Sequence, residues 1–213
     1  LEQLLINAIQ SAEEEILVAV QELSMPSIAD SLVAASRLGV NVKVILENNY
    51  STPWSQQHEL DLSRHGRLRL QRLKVEADQD QNGVVNPEEE RKSDALLILQ
   101  NGQIAWIDDT EDGSKGSGLM HHKFVVIDGE RVITGSANFT NSGIHGDAGA
   151  TQTRGNVNHL ISIQNPALAT VFKKEFEQMW GDGPGGANDS LFGRNKIAKP
   201  VQTIKAGTVN ISV

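Results

Sequence analysis

His121, Lys123, Asp128, Ser136 and Asn138 stand at offsets that suit chemistry on a phosphodiester. The stretch runs His121-His122-Lys123, four residues, Asp128, six residues, then Gly135-Ser136-Ala137-Asn138. Chance would place six such residue types at fixed offsets in a chain of this length with odds on the order of 10⁻⁵ or less. An imidazole can attack phosphorus, while an ammonium, a hydroxyl and an amide stabilise charge that builds on the non-bridging oxygens.

Those groups must be brought to one side of a short element. Phe124 to Ile127 is an apolar run closed by Asp128-Gly129 and followed by Arg131 to Thr134, which predicts two strands joined by a tight turn. Side chains alternate along a strand, so His121 and Lys123 share one face and His122 points to the other. Ser136 and Asn138 share a face by the same parity. Asp128 belongs to the candidate catalytic set as a member of the motif, but its place at the start of a turn suits a structural hydrogen-bonder better.

The motif resembles the signature of the phospholipase D superfamily, and it is most similar to that superfamily's small single-motif bacterial endonucleases. The likeness extends downstream through Asn158 to Ile163, Asn165-Pro166 and Leu168 to Trp180-Gly181, and upstream in the order of helices and strands. It covers most of residues 1–180. It implies an α/β/α sandwich, a mixed sheet flanked by helices, and a two-step hydrolysis. One motif histidine forms a covalent phosphohistidine, and the histidine of a second motif protonates the leaving group. This chain has one such motif. The second is expected either from a homodimer partner about a two-fold axis or from a C-terminal repeat in a longer parent chain. Leu1 in place of an initiator methionine, and the strand-like Thr208 to Val213 at the other end, favour the parent chain. The endonuclease branch also carries a glutamate before the strand that follows the motif, where it orients the histidine. Here Arg154-Gly155-Asn156-Val157-Asn158 offers no carboxylate, and an asparagine carbonyl stabilises an imidazolium less. Weak activity, or help from Asp147, is the expectation.

A second constellation spans Asp78 to Glu89. It matches an EF-hand calcium loop, with oxygens at positions one, three and five, glycine at six and glutamate at twelve. The expected ligands are Asp78, Asp80, Asn82, the Val84 carbonyl, Asn86 through water, and Glu89 as the bidentate closer. An acidic, solvated loop is the plain alternative. A helix over Glu88 to Gln100 should leave the loop, with acids in its first turn. On the entering side, Gly66 and the Arg67-Leu68-Arg69-Leu70 alternation read as strand. A lone calcium loop inserted at 76–90, structural or regulatory and not needed for the chemistry, is therefore expected.

The remaining pattern fits one α/β domain over residues 1–180. Leu1, Leu4, Leu5, Ala8 and Ala12 mark a helix face, Ile16 to Val20 a buried strand, Pro26 to Gly39 a helix and Val40 to Leu46 a strand. Strand, helix and strand in that order imply parallel pairing with a right-handed crossover. Leu168, Val171, Phe172, Phe176 and Met179 form the stripe of a last helix. Beyond Trp180, the glycine-rich run predicts that residues 181–213 form an extended tail or linker. The polar loop Asp108 to Gly118 reads equally as a gate over His121 or a connector.

With no cysteine, disulfides and thiol catalysis are excluded. No stretch is apolar enough to span a membrane as a helix. The compartment stays open, with an extracytoplasmic home suggested only by analogy with weak extracellular calcium loops. The formal charge of −8 disfavours a general DNA-binding surface. Residues 76–94 alone contribute −5 of it. Arg64, Arg67, Arg69, Arg72 and Lys74 form a basic stretch that either tracks a nucleic-acid backbone or is a solvated edge. Nucleic acid is the first substrate expectation. Phospholipid hydrolysis or headgroup exchange is the alternative, and a non-catalytic calcium-dependent binding module is a third reading.

Overall fold

The computed structural model describes residues 1–113, 118–145 and 156–213. The first apolar face winds into α1 (Glu2–Gln10), and the following run extends as β1 (Glu15–Val20). Pro26, whose ring pre-sets a helical φ where no N–H is needed, opens α2 (Pro26–Arg37), and β2 (Asn41–Leu46) follows. Next come α3 (Arg64–Ala77), α4 (Pro87–Ser93), α5 (Ala95–Asn101) and β3 (Ala105–Asp108). The hairpin β4 (Lys123–Ile127) and β5 (Arg131–Gly135) leads through the single turn α6 (Asn141–Ile144) and β6 (Leu160–Gln164) to α7 (Pro166–Trp180). A hairpin of β7 (Thr203–Ala206) and β8 (Val209–Ser212) comes last.

Six strands form one mixed sheet in the order β3-β2-β1-β4-β5-β6. β1, β2 and β3 are parallel, whereas β4, β5 and β6 pair antiparallel, each with its neighbour. Alternation sends Ile16, Val18, Val20, Val125 and Ile127 into a core with α1, α2 and α5. It sends Leu17, Ala19, Phe124 and Val126 into a second core with Phe176, Met179 and Trp180 of α7. Each large apolar side chain fully buried in these layers contributes about 1.5–3 kcal/mol, so a one-residue slip of β4 would forfeit both layers at once. The α/β/α sandwich expected from the sequence is the architecture found.

Three local expectations are corrected. Residues 67–70 are helical: Ser63 caps α3 by accepting the Gly66 N–H, and Leu70, Leu73 and Ala77 pack with Trp54 at helical spacing. The strand-like alternation of Arg and Leu there arises because Arg69 is itself buried (7% exposed) beside the apolar stripe. The helix expected over 88–100 breaks at Asp94 (ψ 102°), whose buried carboxylate caps α5 through the Leu96 and Leu97 N–H groups and also binds Ser55. Residues 181–213 do not extend away. Phe192 and Ile204 enter the α7 core, and Lys196 pairs with Glu175.

Candidate active site

All of the motif but Asp128 occupies one end of the sheet. The carboxyl ends of β1, β2 and β3 lie at the same edge as the start of β4 and the end of β5, because β4 runs antiparallel to β1 and β5 returns. Just past this edge the extensions of β1 and β5 meet directly: Leu23 bridges Phe139, the Phe139 N–H donates to the Glu22 carbonyl, and the Ser24 N–H donates to the Phe139 carbonyl. This crossing brings Asn138 beside Gln21 and the top of β4. It is a crevice beyond strand ends, the usual place for ligands in open α/β sheets.

Lys123 is buried (7% exposed). Its Nζ donates to Gln21 Oε1 at 3.2 Å and to the His121 carbonyl at 3.1 Å. Asn138 Nδ2 donates to the same Gln21 oxygen at 3.3 Å, and Asn138 Oδ1 is buried with no hydrogen-bond partner among the described residues. Ser136 Oγ donates to Asn158 Oδ1 at 2.9 Å, accepts the His159 N–H at 3.2 Å and lies 3.3 Å from His159 Nδ1. Gly135 is needed for this approach, since a Cβ there would fall 2.1 Å from the His159 carbonyl oxygen. The imidazole of His121 is exposed and has no hydrogen-bond partner among the described residues. Partial burial, then the charges of Lys123 and His122, hold its pKa below the ordinary value, so the ring is neutral at neutral pH and able to attack. Burial likewise lowers the Lys123 pKa.

His122 faces away, as strand parity requires. Its Nε2 lies 3.2 Å from Glu175 on α7, and its ring meets Phe124 edge-on. The bond to His122, opposed by burial and aided by Lys196, takes the Glu175 pKa down to about 2. A cavity of about 480 Å³ opens here, floored by Phe124, Val171 and Phe172 and rimmed by Lys196 and Lys199. A smaller one of about 250 Å³ touches His121 and His122 and shares Gly193 and Lys196 with it.

Asp128 is not at this edge. It lies at the far end of β4, where its carboxylate accepts the N–H groups of Glu13, Glu14 and Glu15 at 2.8–3.0 Å. Burial opposes its ionisation, but the three donors outweigh it and keep the pKa below the ordinary value. Asp128 and Gly129 have φ of 51° and 63°, the left-handed geometry of the tight turn. The candidate catalytic role of Asp128 is thereby corrected to holding the hairpin against the start of β1. Asp147 and Arg154-Gly155 lie outside the described residues. Asn158 stands beside Ser136 and also donates from Nδ2 to the Gly143 carbonyl, so it fixes Ser136 and makes no bond to the His121 ring. Gln21 escaped the sequence reading because a glutamine after an apolar strand carries no signal of its own.

The second constellation is a helix–loop–helix. Asp78, Asp80 and Glu89 place carboxylate oxygens within 4.8 Å of one another. Glu89 is buried (7% exposed) and accepts the Gln79 and Asn86 N–H groups, while Asn86 caps α4. The Asn82 N–H donates to Asp78 and Asp80, and the Val84 N–H to Asn82 Oδ1. Of the basic stretch, Arg69 is consumed by a 2.6 Å ion pair with Glu22 and lies over Tyr50. The described part of the Asp108 loop is tied down through Ser51, Asn48 and Ser190, as a connector is.

Comparison with known proteins agrees with this geometry. The family described as "Cardiolipin synthase, PLD-like domain" matches residues 5–180. The chain is 26% identical over 170 residues to mitochondrial cardiolipin hydrolase of Xenopus laevis, covering 79% of this chain and 56% of that protein. It is 26% identical over 167 residues to phospholipase D of Rickettsia conorii, covering 78% and 57%. It thus spans just over half the length of these curated relatives. Among solved structures, Nuc of Salmonella typhimurium, a phospholipase D family member, shares the fold with a TM-score of 0.52 at 22% identity, covering 85% of this chain and 88% of that one. The match over residues 5–180 makes the chain a member of the phospholipase D-like family.

Proposed function

We propose that this protein is a phosphodiester hydrolase that works through a covalent phosphohistidine on His121. The observation that carries the reading is the gathering of Lys123, Ser136 and Asn138 at the edge where a neutral imidazole stands with no hydrogen-bond partner among the described residues. His121 attacks phosphorus, a P–N bond forms, and the bond to the leaving oxygen breaks. Lys123, Ser136 and Asn138 stabilise the charge on the non-bridging oxygens. A second imidazole donates the proton to the leaving oxygen, and water then attacks phosphorus to release His121. That second imidazole is assigned to a partner copy or to a further repeat of a longer chain, since this chain supplies one motif.

Nucleic acid is the first substrate class, supported by the exposure of His121 at an open edge that a polymer backbone can reach. The apolar cavity beside His122, with lysines on its rim, favours a second reading, a phospholipid whose acyl chain lies under residues 193–202. We further propose that Asp78, Asp80, Asn82, Val84, Asn86 and Glu89 hold calcium. The donors are all hard oxygens, and those of Asp78, Asp80 and Glu89 lie within 4.8 Å of one another, which suits that ion; its role is structural or regulatory. The test is incubation of wild type and His121→Ala with plasmid DNA, a simple phosphodiester and phosphatidylcholine vesicles, with and without EDTA. Cleavage lost in the variant but kept in EDTA is expected, and the substrate cleaved selects the class. Cleavage retained by His121→Ala overturns the mechanism.

A further inference from the structure

What places Lys123 is not part of the motif. Its ammonium is buried, yet among the described residues no carboxylate pairs with it, and its partners are the Gln21 side-chain oxygen and the His121 carbonyl. The same Gln21 oxygen accepts from Asn138 Nδ2. One neutral acceptor therefore holds two of the three groups assigned to the phosphoryl oxygens. Gln21 is itself 8% exposed, and its backbone is fixed on both sides: its N–H donates to the His122 carbonyl, and its carbonyl accepts the Glu47 N–H. The next residue, Glu22, is locked to Arg69 from α3.

A carboxylate at position 21 would hold the lysine more strongly, but it would also neutralise the charge that an anionic substrate needs. An amide oxygen orients the ammonium and leaves it cationic. The other charged groups nearby do not cancel it either, because Glu22 is paired with Arg69 and His121 is neutral at neutral pH. Among the described residues no charge raises the Lys123 pKa, and burial shifts it downward. We infer that Gln21 is a positioning residue, whose side-chain carbonyl aims Lys123 and Asn138 together at the phosphoryl oxygens while leaving the lysine charge uncompensated. This rests on the phosphodiesterase reading above.

Near-isosteric Gln21→Glu and Gln21→Leu, with wild type and His121→Ala as references, test it. Turnover of bis(p-nitrophenyl) phosphate is measured across pH, and the Lys123 pKa is read by NMR on ¹³C-labelled lysine in the full chain. In Gln21→Glu the Lys123 pKa should rise by about one unit or more. Its kcat should fall on the order of tenfold or more with KM little changed, and the alkaline limb of the pH profile should move up. Gln21→Leu should lose a comparable share of kcat without raising that pKa. A merely structural glutamine would move melting temperature and leave both the pKa and the limb in place. An unmoved Lys123 pKa in Gln21→Glu, or kcat within twofold of wild type in both variants, overturns the inference. A wild type that turns over nothing overturns the reading of a phosphodiesterase completed by a partner copy and with it the catalytic purpose of Gln21 in this chain, whereas the NMR titration alone decides whether Gln21 holds the lysine.

Discussion

The two ends of β4 carry parts of the same motif and treat polar groups in opposite ways. At the turn end, the Asp128 carboxylate takes three backbone N–H groups and is satisfied within the protein. At the start of the strand, among the described residues, the His121 ring has no hydrogen-bond partner, the Lys123 ammonium meets only neutral oxygens, and Asn138 Oδ1 is buried without a partner. An unsatisfied buried polar atom costs about 1–3 kcal/mol, so such atoms persist where a ligand completes them. The motif thus divides into an architectural half and a half left open to a ligand, and the latter is the half to which the proposed chemistry is assigned.

The sharpest way to break this comparison is His121→Ala. It should abolish turnover by a factor on the order of 10³ or more, while stability stays within about 0.5 kcal/mol because the ring is exposed. Loss of fold instead of activity would erase the distinction. Lys123→Met comes next, with kcat expected to drop on the order of 10²-fold and no fall in melting temperature, since an uncompensated buried charge is removed. In the wild type, activity should rise as His121 deprotonates below the ordinary 6.5 and fall as Lys123 deprotonates below 10.5. A pH–rate profile checks both limbs.

Asp128→Ala should do the reverse of His121→Ala. Loss of three charge-assisted bonds destabilises by about 3 kcal/mol, read by urea unfolding, while kcat of the folded protein stays within a few-fold. Because the folded pKa of Asp128 is depressed, its contribution is present above the unfolded value of 3.8 and lost as pH falls through the folded pKa. The variant should therefore lose less stability on acidification than wild type. The smallest effect concerns the 78–89 loop. Calcium at tenfold over its dissociation constant should stabilise by about 1.4 kcal/mol, and Glu89→Gln should remove that gain. Calorimetry showing no heat at millimolar calcium would refute the site.

Much of the molecule is legible in its sequence. Strand parity separated His121 and Lys123 from His122, the turn chemistry of Asp128-Gly129 forecast a hairpin, and apolar spacing located β1, α2, β2 and α7. These are local properties, dictated by alternation, backbone sterics and the burial of one face. Other features were not local. Arg67-Leu68-Arg69-Leu70 alternates like a strand, and only the pairing of Arg69 with Glu22, 47 residues earlier, explains a buried arginine on a helix. Residues 181–213 looked like a linker because their glycines break every period, yet Phe192 and Ile204 find apolar partners on the α7 side.

By itself, the sequence determined the candidate reacting groups, their parity and the layered α/β architecture, since each follows from the chemistry of neighbours a few residues apart. Only the tertiary structure decided that Asp128 is an anchor, that His122 belongs to Glu175, and that Gln21 holds Lys123 and Asn138. Those assignments depend on which distant strand end lies within 3.3 Å, and hydrogen bonds and desolvation act over just such short distances in space, whatever the separation along the chain.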